Sequence, residues 1–399
     1  MPFFKVKHLA SPNAGSFLEH SEHTVSRDTA AQLGAFVFPR DTLVFAKVGA
    51  ALLLNRFRLL GQASCIDNNM MGFILDRSLA DSRFMLHRLS LVDFALVANP
   101  GAVPSLNAEQ VAEQEIVLPP LPVQRVIANY LDRETARLDA LVTAKERLLG
   151  LLAEKRRALI TRAVTRGLDA NAPLRDSGTP WLGQIPTHWD TERAKWLFRE
   201  RDERSVSGDE EMLTVSHLTG VTPRSEKDVN MFEAETTEGY KLCHAGDLVI
   251  NTLWAWMGAM GVSRRDGIVS PAYNVYVPGE RLDPGYVDAL VRIPVFPQEA
   301  TRFSKGVWSS RLRLYPEGFF EIWMPVPPLD EQRAIVAHIA AETAKLDALR
   351  AAAERTIVLL KERRAALITA AVTGKIDVER LGSRTGAVAV GEHPGQRQP

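Results

Sequence analysis

A segment late in the chain carries the residues with the clearest binding chemistry. Its sequence, RFSKGVWSSRLR, places four cations and a tryptophan around a short glycine and serine turn. The cations are Arg302, Lys305, Arg311 and Arg313. Cationic, polar and aromatic side chains on a loop suit contact with a nucleic-acid groove. The alternative is an ordinary surface loop without a ligand.

Two further groups of residues could make similar contacts. The first is a basic turn made by Arg264 and Arg265. The second is a set of four residues early in the chain: Arg56, Arg58, Asn68 and Asn69. Arginine can form paired hydrogen bonds with guanine, and asparagine can do so with adenine. The residue types alone assign no base.

Residues suited to covalent or metal chemistry are not arranged in any recognisable site. The chain has no GxxxxGK[ST] phosphate loop, no GxGxxG turn and no GxSxG nucleophile turn. His20 and His23 lie three apart, but no further ligands follow at zinc-like spacing. Cys65 and Cys243 belong to no CxxC pair, which predicts buried thiols in a reducing compartment. We therefore predict no catalytic residue, no metal site and no cofactor bound by this chain.

Charge and hydropathy exclude further classes of protein. The 399 residues include 48 Lys+Arg and 48 Asp+Glu, so the formal net charge is zero. A neutral chain is a poor candidate for a free-standing, non-specific nucleic-acid binder or a protein of anionic membrane surfaces. No run approaches the roughly 18 apolar residues of a membrane span, and no signal-peptide pattern opens the chain. We expect a soluble, cytoplasmic protein of two or three domains.

An internal repeat indicates which elements must position these residues. Residues 119–169 and 327–377 align without a gap and are identical at about 28 of 51 positions. Each copy has the apolar spacing of one long helix, about 60 Å long at 1.5 Å per residue. The predicted seam residues are Ile127, Leu131, Leu138, Leu141, Leu148, Leu152 and Leu159 in the first copy, and Ile335, Ile339, Leu346, Leu349, Leu360 and Leu367 in the second. We predict that the two helices pack as an antiparallel coiled coil with a pseudo-twofold axis.

Each predicted helix also carries a basic cluster. The six residues are Lys155, Arg156, Arg157, Lys361, Arg363 and Arg364. A solvated helix face with ion pairs is one interpretation. A contact with phosphate or with a partner protein is the other.

The segments between the helices have the pattern of α+β domains with mixed, twisted sheets. Short β-type runs bounded by turn residues recur, such as DTLVFAKVGA from Asp41 and GDLVINTLW from Gly246. Aligning LVFA with LVIN puts the counterpart of Trp181 about 25 residues before Met1, so we expect the first domain to be shortened at its N-terminus. The predicted segments are a first domain at 1–118, a central helix at 119–169, a second domain at 170–326, a C-terminal helix at 327–379 and a disordered tail at 380–399.

The repeated motif PPLxxQRxI with ETAxLDAL and ALITxAVT, together with DSGTPWLGQIPTHW at 176–189, resembles the specificity subunit of type I restriction-modification enzymes. The resemblance extends from about Asp41 to Asp377. It implies two target-recognition domains that alternate with two conserved spacer helices. Each domain would read one half of a split, asymmetric DNA sequence, and helix length would set the unread gap.

The resemblance also implies partners and cofactors. Two adenine-N6 methyltransferase subunits would dock on this chain and use S-adenosylmethionine. Restriction and translocase subunits would use ATP and Mg²⁺. The chain itself would bind double-stranded DNA and would not bind a membrane.

The sequence therefore predicts a non-enzymatic DNA-specificity subunit. One alternative is an N-terminally truncated subunit that is partly or wholly inactive. A second is a coiled-coil adaptor that reads no DNA, and the duplicated domains disfavour it. A fused methyltransferase-restriction enzyme is disfavoured by the missing cofactor and phosphate-loop motifs.

Overall fold

The computed structural model describes residues 1–10, 16–99, 101–227, 236–306 and 312–378. The chain divides into two compact units. The first unit contains Met1–Glu146 and the described part of Arg355–Pro399, and the second contains Arg147–Glu354. Each unit combines one globular α+β domain with segments of both long helices.

The globular part of the first unit contains short strands and short helices. The strands are β1 Phe3–Phe4, β2 Phe17–Leu18, β3 Leu43–Ala46, β4 Phe57–Leu60, β5 Cys65–Ile66 and β6 Met70–Phe73. The helices are α1 Arg27–Gln32, α2 Ala50–Leu53, α3 Ser82–Leu89, α4 Phe94–Val97 and α5 Ala108–Ala112. The main sheet has the order β2-β4-β3-β6, in which β3 pairs antiparallel with β4 and β6, and β2 pairs parallel with β4.

The globular part of the second unit has more strands. They are β7 Leu174–Asp176, β8 Gln184–Pro186, β9 Asp190–Arg193, β10 Phe198–Arg201, β11 Leu213–Ser216, β12 Gly220–Pro223, β13 Lys241–Cys243, β14 Leu248–Asn251, β15 Met260–Val262, β16 Gly267–Val269, β17 Tyr273–Pro278 and β18 Trp323–Val326. The short helices are α7 Ala194–Leu197, α8 Pro284–Val291, α9 Phe296–Arg302 and α10 Pro316–Phe319. The main sheet is antiparallel, with the order β10-β17-β14-β15.

The two main sheets share a three-stranded core. In the first unit the central strand β3 lies between β4 and β6, and in the second unit β14 lies between β15 and β17. The fourth strand differs, because β2 joins the β4 edge whereas β10 joins the β17 edge. The buried LVFA and LVIN runs, which the sequence predicts as strands, form the two central strands.

The two repeat copies form two long helices, α6 Leu121–Arg166 with 46 residues and α11 Leu329–Val372 with 44. Within the first unit, Arg364 lies 2.9 Å from Asp139, and Lys361 lies 3.8 Å from Glu146. Because residue numbers rise along one helix as they fall along the other, the two helices run antiparallel there. The predicted α+β fold with two long helices is confirmed.

Burial along the helices separates the predicted seam residues into three groups. Ile127, Leu131, Leu138, Ile335 and Leu346 are buried. Leu152, Leu159, Ile339, Leu360 and Leu367 are half-buried. Leu141, Leu148 and Leu349 are exposed, by 43%, 36% and 56%.

Two of the three exposed leucines, Leu141 and Leu148, lie one position away from the packed stripe. Val142 and Leu149 are more buried than Leu141 and Leu148, and Ile357 is 9% exposed. Apolar residues occupy adjacent positions here, so helical periodicity alone is compatible with either stripe. The neighbouring helix selects the one that packs.

The cores of the two units are built separately. In the first unit, Phe84 of α3 packs with Leu131 of α6 and Ile368 of α11. In the second, Tyr286 of α8 packs among residues that include Ile335. No helix in the described ranges is both long and apolar enough to cross a membrane.

Candidate nucleic-acid interface

A pair of tryptophans, one exposed and one half-buried, follows the carboxyl end of β14 in the second unit. The strand ends at Asn251, and the rings of Trp254 and Trp256 stack with centroids 6.3 Å apart. Trp254 leaves 50% of its surface exposed. Because the free energy falls when an indole surface leaves water, the exposed part of this pair is suited to a planar or apolar ligand.

The basic segment singled out in the sequence meets β14 at this same end. The backbone N–H of Leu314 donates to the carbonyl of Thr252 at 3.2 Å. Lys305 and Arg313 pair through two backbone hydrogen bonds of 3.0 and 2.9 Å. We call Trp254, Trp256, Lys305 and Arg313 the β14 surface. Arg311 lies outside the described residues.

Three of the predicted DNA contacts are already paired with carboxylates of the same unit. The pairs are Arg302 with Glu299 at 2.8 Å, Lys305 with Glu317 at 2.8 Å, and Arg265 with Glu211 at 3.6 Å. Within the ranges that the structure describes, Arg313 and Arg264 are exposed and form no ion pair. Arg313 is therefore the more available cation of the β14 surface.

The turn of Arg264 and Arg265 lies at the other end of the sheet. β15 runs antiparallel to β14 with Val262 opposite Leu248, so the turn that follows β15 lies beside the amino end of β14. Arg264 lines a groove of about 850 Å³ that is also bordered by α8 and α11. The structure thus separates this turn from Lys305 and Arg313.

In the first unit, polar residues occupy the corresponding end of the sheet. Asn68 and Asn69 lie in the turn before β6, and the Lys47 N–H, just after β3, donates to the Asn69 carbonyl at 2.9 Å. Arg56 immediately precedes β4, opposite the end of β3. Arg56, Asn68 and Asn69 are all exposed, and we call them the β3 surface.

Arg58 lies on β4 beside other cations. Its Nη1 donates to the carbonyl of Phe57 at 2.8 Å, and its Nε is buried without a hydrogen-bond partner among the described residues. Burial lowers the pKa of Arg58, and the nearby charges of Arg56 and Arg364 lower it further. Like charges held close together favour the binding of a polyanion such as a phosphate backbone.

The basic clusters of the long helices divide into paired and unpaired residues. Arg156 lies 2.5 Å from Asp347, and Arg364 and Lys361 pair with acidic residues of α6. Lys155, Arg157 and Arg363 are exposed and form no ion pair within the described ranges. Ion pairing therefore accounts for three of the six residues, and a contact with phosphate or a partner stays a prediction for Lys155, Arg157 and Arg363.

Trp254 and Trp256 are absent from the contacts predicted from sequence. The run GDLVINTLW reads as one continuous strand, whereas β14 ends at Asn251 and leaves the tryptophans on the following loop. Two tryptophans separated by a single alanine, shortly before Gly258, are the sequence signal that could have identified them.

The remaining chemistry-bearing groups form no reactive cluster within the described ranges. No three His, Cys, Asp or Glu side chains there come close enough to hold a metal ion. Burial raises the pKa of the Cys65 and Cys243 thiols, that of Cys243 to about 12. A reactive cysteine needs the opposite shift, since the thiolate is the nucleophile.

Comparison with known proteins gives matches at the level of sequence and of fold. Residues 1–148 match the model of a family described as the type I restriction modification DNA specificity domain. The crystal structure of the HsdS subunit from Thermoanaerobacter tengcongensis is similar with a TM-score of 0.55 and 16% identity, over 94% of this chain and 90% of that chain. A structure reported for complex assembly and conformational transition of the type I R-M system is similar with a TM-score of 0.62 and 18% identity, over 93% and 90%.

The structural matches and the sequence match support different conclusions. At identities of 16% and 18%, the structural likeness concerns the fold. The sequence match concerns residues 1–148. Residues 1–148 thus match the type I restriction modification DNA specificity domain, and the chain shares its fold with an HsdS subunit, which confirms the resemblance seen in the repeated motif.

Proposed function

We propose that this chain is the DNA-specificity subunit of a type I restriction-modification complex and that it catalyses no reaction itself. Each recognition domain reads one half of a split, asymmetric DNA target. The observation that carries the proposal is the repetition of one arrangement in both units. Each unit has the same three-stranded core and exposes polar or aromatic side chains at the carboxyl end of the central strand.

The two surfaces differ in chemistry, which supports the reading of different half-sites. The β3 surface offers asparagine and arginine, which can form paired hydrogen bonds with adenine and guanine. The β14 surface offers a tryptophan pair and Arg313, which suit apolar base edges and guanine or phosphate. Because the main sheets share their core, a difference in loops is sufficient for a difference in specificity.

The proposal includes partners. Two adenine-N6 methyltransferase subunits with S-adenosylmethionine dock on the long helices, and restriction subunits with ATP and Mg²⁺ complete the complex on cytoplasmic double-stranded DNA. In the second unit, Leu151 of α6 and Leu349 of α11 are 52% and 56% exposed. Exposed leucines on a helix favour docking by another apolar helix face. Zero net charge is compatible with partners that supply much of the phosphate contact.

Mapping of N6-methyladenine in a host that expresses this chain with its cognate methyltransferase tests the proposal. We expect a new split motif that requires both proteins. Methylation by this chain alone would contradict its non-catalytic role. No motif with both proteins present would contradict the role as specificity subunit.

Single substitutions then assign the half-sites. Arg313→Ala should weaken sequence discrimination at one half-site, and Asn69→Ala should weaken it at the other. Each substitution should lower the free-energy difference between the correct and the wrong base by about 1–3 kcal/mol. Arg333→Ala is the matched control, since Arg333 is an exposed arginine of α11 whose partner is Asp330. Equal effects of Arg313→Ala on both halves would contradict the assignment.

A further inference from the structure

One glutamine near the start of each long helix is completely buried. Gln124 is the fourth residue of α6 and Gln332 is the fourth residue of α11, and both have zero exposure. They occupy the same position of the repeated PPLxxQR motif. A buried side-chain amide is costly unless its donors and acceptor find partners.

In the first unit, the Gln124 amide makes three hydrogen bonds. Its Nε2 donates to the carbonyl of Leu79 at 2.9 Å and to that of Pro119 at 2.8 Å. Its Oε1 accepts from the backbone N–H of Asp81 at 2.9 Å. Pro119 leads into the helix, whereas Leu79 and Asp81 belong to the globular domain, so one side chain joins the two.

The second unit repeats this arrangement with other residues. Nε2 of Gln332 donates to the carbonyls of Arg281 and Pro327, both at 2.8 Å. Oε1 of Gln332 accepts from the N–H of Asp283 at 2.8 Å. The three bonds match those of Gln124 one for one.

The partner on the globular side is a helix N-cap in both units. The Asp81 carboxylate accepts from Arg83 and Phe84 N–H groups to cap α3, and the Asp283 carboxylate accepts from Gly285 and Tyr286 to cap α8. In a capping box, a side chain of the same helix accepts the N–H of the N-cap residue. Here the long helix supplies that acceptor, so the start of α3 or α8 is held at a defined place on α6 or α11.

Other contacts between the long helix and the globular domain differ between the units. In the first unit, Asp132 of α6 binds Arg83 and His87 of α3, at 3.1 and 3.3 Å. The aligned positions of the second unit are Gly285, Ala289 and Ala340, which line the groove beside α8. The hydrogen bonds of the buried glutamine are therefore common to both units. The ion cluster at these positions is present only in the first.

We propose that Gln124 and Gln332 are positioning residues that fix the angle between each recognition domain and its spacer helix, and so make the complex selective for one gap between half-sites. The inference rests on the proposed function. A target with one base pair more or less in its gap moves a half-site by roughly 3.4 Å and turns it by a tenth of a helical turn. A domain that can tilt on its helix tolerates that displacement.

The test uses the assembled complex with its methyltransferase subunits. Methylation rates are measured on duplexes that carry the mapped half-sites at the natural gap and at gaps one base pair shorter and longer. Gln332→Met removes both donors and the acceptor. We expect its preference for the natural gap to fall by about tenfold, the scale of one mismatched base pair. Gln124→Met should do the same from the other unit.

A core variant of the recognition domain separates positioning from mere loss of stability. Val249→Ala lies in a core cluster of the recognition domain without a residue of either long helix, and should lower rates at all gaps alike. Should Gln332→Met fail to assemble, Gln332→Asn keeps an amide that is one methylene too short to reach all partners. If gap preference is unchanged in the glutamine variants, or falls equally in Val249→Ala, the inference is overturned. A wild-type complex that methylates no split target overturns the proposed function instead.

Discussion

Trp254 and Trp189 belong to the same unit and differ in burial, at 50% and 1% exposure. The buried indole of Trp189 packs in the core cluster, and its Nε1 donates to Glu331 at 3.0 Å. Trp254 keeps half of its surface in water when the chain folds. The exposed half of its indole is therefore available to a ligand.

The two tryptophans predict opposite outcomes on substitution. Trp254→Ala should lower the free energy of unfolding by about 1–2 kcal/mol, since half of the indole is in water, yet weaken methylation of targets carrying one half-site. Trp189→Ala should cost about 3–5 kcal/mol. Chemical denaturation and methylation assays on the two variants decide this. A strongly destabilised Trp254→Ala would show that its indole serves the fold.

Cys243 should be inert in the folded chain. Burial raises the pKa of its thiol from the ordinary 9.0 to about 12, so at pH 8 the thiolate is scarce. Iodoacetamide at pH 8 should label Cys243 slowly in the native protein and rapidly in denaturant, as measured by peptide mass mapping. Because the unfolded thiol ionises first, this group contributes stability below pH 9 that is lost as pH rises towards 12. Equal labelling in both states would contradict its burial.

At the scale of elements, two ion pairs mark the register of the long helices. Asp139 and Asp347 occupy the same repeat position, as do Arg364 and Arg156, and each aspartate lies beside the arginine of the other helix. The repeat thus places the same contact once in each unit. All four side chains are 39–56% exposed, so each pair should be weak despite its short distance.

A double-mutant cycle on Asp139 and Arg364 measures this contribution. We expect a coupling free energy of about 0.5 kcal/mol, because solvent screens the pair. Asp139→Arg alone should destabilise the protein through like-charge repulsion, and Asp139→Arg with Arg364→Asp should restore most of the loss. Failure of Arg364→Asp to rescue Asp139→Arg would place the two helices in another register.

At the scale of the molecule, each unit has a core of its own through which both long helices pass. Phe84 belongs to the first core. The hydroxyl of Tyr286, at the corresponding place in the second core, donates to the carbonyl of Val164 at 2.9 Å. The units should therefore respond separately to a loss of core packing.

Hydrogen exchange can resolve this independence. Phe84→Ala removes a buried ring and should cost about 3–5 kcal/mol, with faster amide exchange in residues 1–146 and 355–378. Tyr286→Phe removes one buried hydrogen bond and should cost about 1 kcal/mol, with faster exchange in residues 147–354. Faster exchange through both units in either variant would mean that they unfold as one.

Short-range pattern in the sequence was sufficient for the long helices and the central strands. Helical periodicity and the ungapped repeat place α6 and α11, and the apolar runs LVFA and LVIN become β3 and β14. These features depend on residues a few positions apart, where backbone geometry imposes the spacing. The family resemblance likewise came from motifs that are contiguous along the chain.

Only the tertiary structure decided which residues are available to a ligand. Arg265 is paired with Glu211 and Lys305 with Glu317, whereas Trp254 remains exposed. It also selected Val142 over Leu141 for the helix seam and joined Gln332 to Arg281, 51 positions away. Each of these outcomes depends on which residues, distant in sequence, come into contact in the folded chain. Composition and periodicity do not specify those contacts.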